Sequence, residues 1–165
     1  MIAHFADVGL LSPEMEKMGI LGPTDRSSRR PGDVSFKSWA PGRGLAIDVA
    51  VICPLAASHM KEEEPCESYS ISHKHARYDE SFRGSDYDFA AMVFETSGAV
   101  NAEGLLVLKQ IFRCASRRSG MSHAFFCGRA WARLSSCIQI SVAQMILNRE
   151  IDDSIELFLN NNNDS

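Results

Sequence analysis

The sequence predicts an α/β domain, with a small mixed β-sheet flanked by helices. Segments with strand character alternate along the chain with segments of helical spacing, which is the pattern of this fold class. A chain of 165 residues with 45% hydrophobic content can bury one core but is short for two domains. We therefore expect a single domain over residues 1–159 and a disordered polar tail at 160–165.

The first elements predicted are a short helix and a loop. Ser12 suits a helix cap and Pro13 suits a first turn, so residues 13–18 are predicted to form a helix that Gly19 ends. Residues 22–30 combine turn formers with three arginines and have no apolar period, which is typical of a mobile loop.

A β-hairpin is predicted next. Residues 33–39 and 45–53 have strand character, and the turn-forming residues 40–44 join them. Side chains alternate along a strand, so Asp48 shares one face of the second strand with Ala46 and Ala50. A buried acid in an apolar strand costs free energy unless it is paired or binds a metal, which makes Asp48 a candidate functional residue.

The second half of the domain is predicted to be mostly helical. Residues 55–69 are polar and acidic, which favours a solvated connection. Residues 70–82 have an inward helical stripe that contains Lys74, His75 and Tyr78. Residues 88–95 form a continuous apolar run, as expected of a strand covered on both faces. Helical periodicity then covers residues 102–116 and 122–149.

Composition excludes a globally basic nucleic-acid-binding protein. The net charge is -4 and the pI is near 5.7, so a surface for DNA has to be local. Such a surface is predicted on the last helices, because no acidic residue occurs between Glu103 and Glu150. The candidate phosphate contacts there are Lys109, Arg113 and Arg117, at a spacing of four, with Arg30 and Arg43 as further candidates. A solvated helix surface is the other interpretation.

Localisation and redox state are expected to be those of a protein inside the cell. The longest apolar runs are shorter than the ~20 residues of a membrane span, and the N-terminus lacks the basic region of a secretory signal. Five cysteines without a CxxC pair indicate reduced thiols. We expect a nuclear or cytoplasmic protein with no membrane partner, and the oligomeric state stays open.

Two carboxylates on neighbouring strands form the candidate site. Asp33 and Asp48 supply the oxygen ligands that Mg²⁺ or Mn²⁺ prefers, and a bound metal polarises a phosphodiester and activates water. Lys74 would offset charge on the phosphate, and Tyr78 would orient water or backbone. Glu95, at the end of the third predicted strand, is a candidate third metal ligand.

Each candidate also has a structural interpretation. Asp33 would start a strand or cap a turn, and Glu95 would cap the turn that follows it. Asp48 would form a salt bridge with Lys74 or Arg43, and Lys74 would alternatively reach solvent along the apolar stripe. Four further side chains are of types that bind zinc, but their spacing does not suit a closed structural site. Those side chains are His59, Cys66, His73 and His75.

At these residues the sequence resembles the PD-(D/E)XK nuclease superfamily, particularly its exonuclease-like branch. The resemblance implies a restriction-endonuclease-like core with C-terminal helices and metal-dependent phosphodiester hydrolysis on DNA. It makes Asp33 the first acid and Asp48 the second, and it places Lys74 and Tyr78 at the Gln and Tyr positions of a helix motif. Ala50 stands where the family has its lysine.

Residues 14–149 are also similar to the domain that follows reverse transcriptase in some eukaryotic retroelement proteins. The similar segments are an RPxDV sequence, a GR-x4-DV-x-V strand and a VFET strand. Three hypotheses follow: an active nuclease, a catalytically degenerate fold that binds nucleic acid or protein, and a retroelement fragment without selected function. Ala50 favours the second.

Overall fold

The computed structural model describes residues 1–23 and 30–163, with side chains described up to residue 148. Its α-helices are α1 (Ile2–Val8), α2 (Pro65–Tyr69), α3 (Ala76–Phe82), α4 (Ala102–Ser119) and α5 (His123–Asn163). Its strands are β1 (Pro13–Met15), β2 (Val34–Ala40), β3 (Arg43–Ile52) and β4 (Tyr87–Glu95). A π-helical segment, Ser70–His75, joins α2 to α3 without a break.

The four strands form one mixed sheet in the order β1-β2-β3-β4. The first two pairings are antiparallel, whereas β3 and β4 run parallel in unbroken register from Gly44–Tyr87 to Ile52–Glu95. A parallel pair needs a long crossover, and the helical segments between residues 65 and 82 supply it. The predicted mixed sheet flanked by helices is confirmed.

The β2–β3 hairpin closes through a two-residue turn. Ala40 pairs with Arg43, and Pro41 and Gly42 lie between them. Gly42 has φ 72°, and a proline followed by a residue of positive φ is the combination that a type II turn favours. The predicted hairpin strands and the predicted strand at 88–95 match β2, β3 and β4 to within two residues.

The helix predicted at residues 13–18 is wrong. Pro13, Glu14 and Met15 form β1 instead, which pairs with β2. Ser12 and Glu16 have φ values of 47° and 46°, which no right-handed helix contains. The local capping signal is outweighed because pairing satisfies the backbone groups at the open edge of β2.

Helix α1 was not predicted from the sequence. Its buried residues Ile2, Phe5 and Ala6 have the spacing of one helix face. Phe5 packs edge-on against Phe112 of α4 and Phe126 of α5. This segment is too short to stand out in the sequence, and its helical form depends on these long-range aromatic contacts.

Three further expectations concern loops and ends. The solvated connection predicted at 55–69 is only partly right, because Pro65–Tyr69 is α2. Helix α5 extends to Asn163, where the sequence predicted a disordered tail from residue 160, and residues 164 and 165 lie outside the described residues. The predicted mobile loop falls mainly on residues 24–29, which also lie outside them.

Each face of the sheet is covered by its own helical layer. One face packs against α1, α4 and α5, through a core in which Phe36, Ile47 and Met92 are fully buried. The other face packs against α2, the π-helical segment and α3 through two smaller clusters. Ala46 and Ala91 belong to these clusters, so the alternate residues of β3, including Asp48, face this second layer.

Side chains of α4 satisfy the free edge of β4. The Asn101 side-chain oxygen accepts the Val93 N–H at 2.9 Å, and its amide group donates to the Ala91 carbonyl at 3.0 Å. Glu103 accepts the Ala91 N–H at 2.8 Å. Gly104 allows this approach, because a Cβ there would lie 2.6 Å from the Asn101 oxygen. An edge strand with unpaired backbone groups is thereby closed.

In the part of the chain that the structure describes, no helix has the length and apolar character to cross a membrane.

Asn101→Ala should lower the free energy of unfolding by about 3 kcal/mol, because it leaves a buried N–H and a buried carbonyl of β4 without partners. Urea unfolding measures the change. Asn148→Ala, at an exposed position of α5, is the matched control and should change stability little. A loss for Asn101→Ala no larger than for this control would show that the edge of β4 does not need the amide.

Candidate active site

Asp48 lies in the middle of β3 and is almost completely buried, at 9% exposure. The Lys74 ammonium is within ion-pair distance of its Oδ2 atom. This oxygen is inaccessible to solvent, and no described donor completes a hydrogen bond of ordinary geometry with it. Among the described residues, Lys74 is therefore the cation in direct contact with this carboxylate. The sequence predicted this ion pair as an alternative to metal binding.

The electrostatic balance at Asp48 is dominated by its burial. Burial raises the pKa of Asp48, because the low-dielectric surroundings disfavour the charged form. Contact with Lys74 and the charge of Arg77 lower the pKa, while the charge of Asp33 raises it, and the net pKa is above the ordinary value. Nearby cations thus only partly offset the cost of burial.

The π-helical segment positions Lys74. Such a segment widens the helix by one residue per turn, and single π turns are frequent at functional sites. Lys74 points to Asp48, and the next residue, His75, also faces inward. The imidazole of His75 contacts Asp79 at 2.8 Å and Glu103 at 2.9 Å. The segment therefore presents two consecutive cationic or titratable side chains to the protein.

His75 links the helical crossover to the edge of β4. The Glu103 oxygen that contacts His75 is also the one that accepts the Ala91 N–H. Burial lowers the pKa of His75, but the hydrogen bonds with Glu103 and Asp79 together raise it by more. The net pKa of His75 is therefore above the ordinary value. The sequence placed His75 on the inward stripe but did not reveal this role.

Asp33 lies next to Asp48 across the hairpin. It precedes β2 by one residue, and continuation of the Val34–Ile47 register places it opposite Asp48. One of its carboxylate oxygens accepts the Val49 N–H at 2.7 Å. That oxygen therefore lies near the plane of the sheet, because backbone N–H groups of a strand point along the sheet. Asp33 also borders an apolar groove on the face opposite to Asp48.

Tyr78 is buried and contributes packing. Its ring lies in the cluster with Ala46 and Phe82 and is 5.1 Å from the Phe89 ring. Its hydroxyl has no hydrogen-bond partner among the described residues. The guanidinium of Arg77 lies 5.2 Å from the Tyr78 ring centre. Tyr78 thus fixes α3 on the sheet beside the carboxylate.

Glu95 lies away from the two aspartates. Its register partner is Ile52, four residues beyond Asp48, which corresponds to about 13 Å along a strand. Glu95 accepts a hydrogen bond from Ser97 at 2.6 Å, as the turn-capping interpretation predicted.

The Cys66 thiol lies close to Glu95. Burial raises the pKa of this thiol to about 12, and the charges of Glu95 and Glu67 contribute to the rise. This cysteine is therefore not a thiolate at neutral pH.

The four side chains considered for zinc each have another partner. His59 contacts Glu62 at 3.2 Å, and His73 stacks on Tyr69. His75 and Cys66 contact the carboxylates described above. Within the described residues, no three His, Cys, Asp or Glu side chains are arranged to hold a metal ion.

The predicted DNA-contacting residues differ in their surroundings. Arg43 contacts the Asp88 side chain and the Ser85 carbonyl, the latter at 2.7 Å, so it fastens the start of β4. Arg30 pairs with Glu16 at 2.6 Å at the surface. The other three are exposed on α4, which packs on the sheet face opposite to Asp48: Lys109, Arg113 and Arg117.

No family model, curated protein or solved structure matches this chain. The geometry of the site and the chemistry of its residues therefore carry the functional argument.

Lys74→Met should destabilise the protein by about 3 kcal/mol at neutral pH, because it leaves the Asp48 charge buried and uncompensated. Without the ammonium the pKa of Asp48 rises further. The penalty is absent at a pH where the Asp48 carboxyl is protonated in both the folded and the unfolded protein. It grows as the pH rises from the pKa of this carboxyl in the unfolded protein to its higher pKa in the folded protein. Urea unfolding at about pH 5 and about pH 8 should therefore show the larger loss at the higher pH.

Two controls accompany this measurement. Lys61→Met, at an exposed lysine, should change stability little at either pH. Asp48→Asn combined with Lys74→Met should remove the pH dependence, since no carboxyl remains to titrate. An equal loss at both pH values in Lys74→Met would contradict the assigned pairing.

Proposed function

We propose that this chain is a metal-dependent phosphodiesterase domain that acts on DNA. The observation that carries the proposal is the desolvated carboxylate of Asp48, which has Asp33 as its neighbour across the hairpin and Lys74 directed at it from a helix. Buried ionisable groups with specific charge partners are more frequent at functional sites than elsewhere. Two acids can hold a divalent metal ion, and a lysine can stabilise the charge that develops on an attacked phosphate.

The two aspartates fit a hard divalent cation. Mg²⁺ and Mn²⁺ take oxygen ligands, and one or two protein carboxylates are usual, with water and substrate phosphate completing the shell. Asp48 offers a buried oxygen whose described contact is the Lys74 ammonium, and Asp33 has one oxygen that is not engaged by Val49. A bound metal would polarise the phosphodiester and lower the pKa of a bound water molecule.

The protein side chains have distinct roles in this proposal. Asp33 and Asp48 hold the cation, and Asp33 is itself fixed by the Val49 N–H. Lys74 stabilises the negative charge that develops on the attacked phosphate. Tyr78 acts as a positioning residue, because its packing on Phe89 holds the helix that carries Lys74.

The order of these residues agrees with the resemblance to the PD-(D/E)XK nucleases. The first acid precedes β2, the second lies on β3, and Lys74 and Tyr78 follow on the crossover helix. Lys74 would take the function of the lysine that the family has at the position of Ala50. A retroelement-derived endonuclease domain is the most specific form of this proposal, with DNA as the partner.

A catalytically degenerate binding module is the second candidate. Ala50 favours it, because Ala50 lacks the cationic side chain that the motif requires. The ion pair between Lys74 and Asp48 also occupies the oxygen that a metal would need. In that case the pair would serve stability and the domain would bind without cleaving.

Linear double-stranded and single-stranded DNA should be cleaved in Mg²⁺ or Mn²⁺, and Asp48→Asn should abolish the cleavage because the metal loses its buried ligand. Lys74→Ala should lower the rate about 100-fold, since the charge it stabilises is largest in the transition state. Lys61→Ala is the exposed-lysine control and should retain the parental rate. Cleavage that persists in Asp48→Asn would rule out this site.

Ala50→Lys separates the two candidates. Ala50 is on the same strand face as Asp48, so a lysine there would present its charge to the same phosphate. In an active enzyme this change should restore part of the rate lost in Lys74→Ala. If the parent cleaves nothing and Ala50→Lys alone creates activity, the domain is a degenerate nuclease.

A further inference from the structure

An open pocket of about 400 Å³ lies on the outer side of the π-helical segment. It is lined by Tyr69, Ser72, His73, Lys74, Ala76 and Arg77. Lys74 belongs both to this pocket and to the ion pair with Asp48, so the pocket adjoins the candidate active site. Neither Tyr69 nor Arg77 is among the residues that the sequence predicts to be functional.

One wall of the pocket is aromatic. The rings of Tyr69 and His73 are stacked, with centroids 4.4 Å apart and an angle of 9° between their planes. One turn of helix separates these residues, which places both rings on the same helix face. His73 is exposed, and among the described residues Tyr69 is its one ring contact. A planar group that stacks on the other face of His73 would extend the stack.

The pocket also contains a cation, Arg77, that pairs with none of the described carboxylates. Arg77 is exposed, and among the described residues no acid lies within ion-pair distance of it. The acids nearest in sequence are already paired, since Asp79 contacts His75 and Glu80 contacts Arg83 at 2.8 Å. The charge of Arg77 nevertheless reaches Asp48, whose pKa it lowers. Arg77 also lines the same pocket as Lys74, the ion-pair partner of Asp48.

We propose that this pocket binds single-stranded nucleic acid, with one base stacked on His73 and a flanking phosphate held by Arg77. Stacking on an aromatic ring requires an unpaired base, because the faces of bases in a duplex are covered by their neighbours. A cation beside a stacking surface is the usual arrangement in proteins that bind single strands. The inference rests on the proposed function, for which it specifies the strand that enters the site.

This assignment places the substrate on the α2–α3 side of the sheet. The arginines of α4, which the sequence indicated for DNA contact, lie on the layer that covers the other face. Arg77 lies on the α2–α3 side, in the pocket that Lys74 also lines. The pocket on the α2–α3 side and the exposed face of α4 therefore predict opposite results for the same binding measurement.

The test is equilibrium binding of fluorescent oligonucleotides of about twelve nucleotides, a length within the range of one single-strand site. Anisotropy is measured in EDTA, so that no cleavage occurs, on single-stranded DNA, its duplex and the RNA of the same sequence. The single strands should bind more tightly than the duplex. His73→Ala should weaken the binding about fivefold or more, and His73→Phe should retain it, because the stacking surface is kept.

Arg77→Ala should weaken binding about tenfold and lower the salt dependence by about one phosphate contact. His4→Ala and Arg113→Ala are the matched controls, at exposed positions on α1 and α4, and should bind as the parent does. Loss of binding in Arg113→Ala with no change in Arg77→Ala would place the strand on α4 and overturn the inference, as would tighter binding of duplex.

The outcome is independent of catalysis. Binding through His73 and Arg77 with no cleavage in any divalent metal would support this site and reject the phosphodiesterase proposal. Cleavage that depends on Asp48 but is unchanged in kcat/KM by Arg77→Ala and His73→Ala would support the phosphodiesterase proposal and reject this pocket.

Discussion

The burial of Asp48 is the constraint on which the rest of this structure depends. A carboxylate inside an apolar strand pair is stable only if a cation or a set of donors reaches it. The nearest strands offer neither, because β4 presents Ala91 at the same register and β3 presents Ala46 and Ala50 on the same face. The cation has to come from the helical layer above, which is where Lys74 lies.

That requirement explains the polar contacts that hold the crossover helix in place. Lys74 binds Asp48, while the adjacent His75 binds Glu103, which also closes the edge of β4. Asn101 completes the closure and donates to Ser70 at the start of the π-helical segment. The sheet edge, the π-helical segment and the start of α4 are therefore joined by one set of hydrogen bonds and ion pairs. Polar contacts of this kind favour one arrangement of the elements that they join.

The same arrangement divides the cationic side chains between two surfaces. Arg43 and Arg30 are engaged with Asp88 and Glu16, and the basic residues of α4 lie over the opposite sheet face. Arg77 and Lys74 are the cations beside Asp48, and a stacked pair of aromatic rings adjoins them. The proposed phosphodiesterase site and the proposed single-strand pocket would together use these features. A binding module would use the same pocket and leave the buried pair as a structural element.

The sequence alone determined the mixed sheet, the hairpin strands and the long helices, because hydrophobic period and turn residues are local properties. It also identified Asp48 as an acid in an apolar strand and Lys74 as an inward residue of the next helix. Tertiary structure decided that residues 13–15 form a strand, since β2 had an open edge to fill. Long-range contacts decided that α1 is a helix, that Glu95 lies apart from the aspartates, and that Arg77 rather than α4 adjoins the site. These outcomes depend on which elements meet across the sheet, and no local pattern in the chain encodes that.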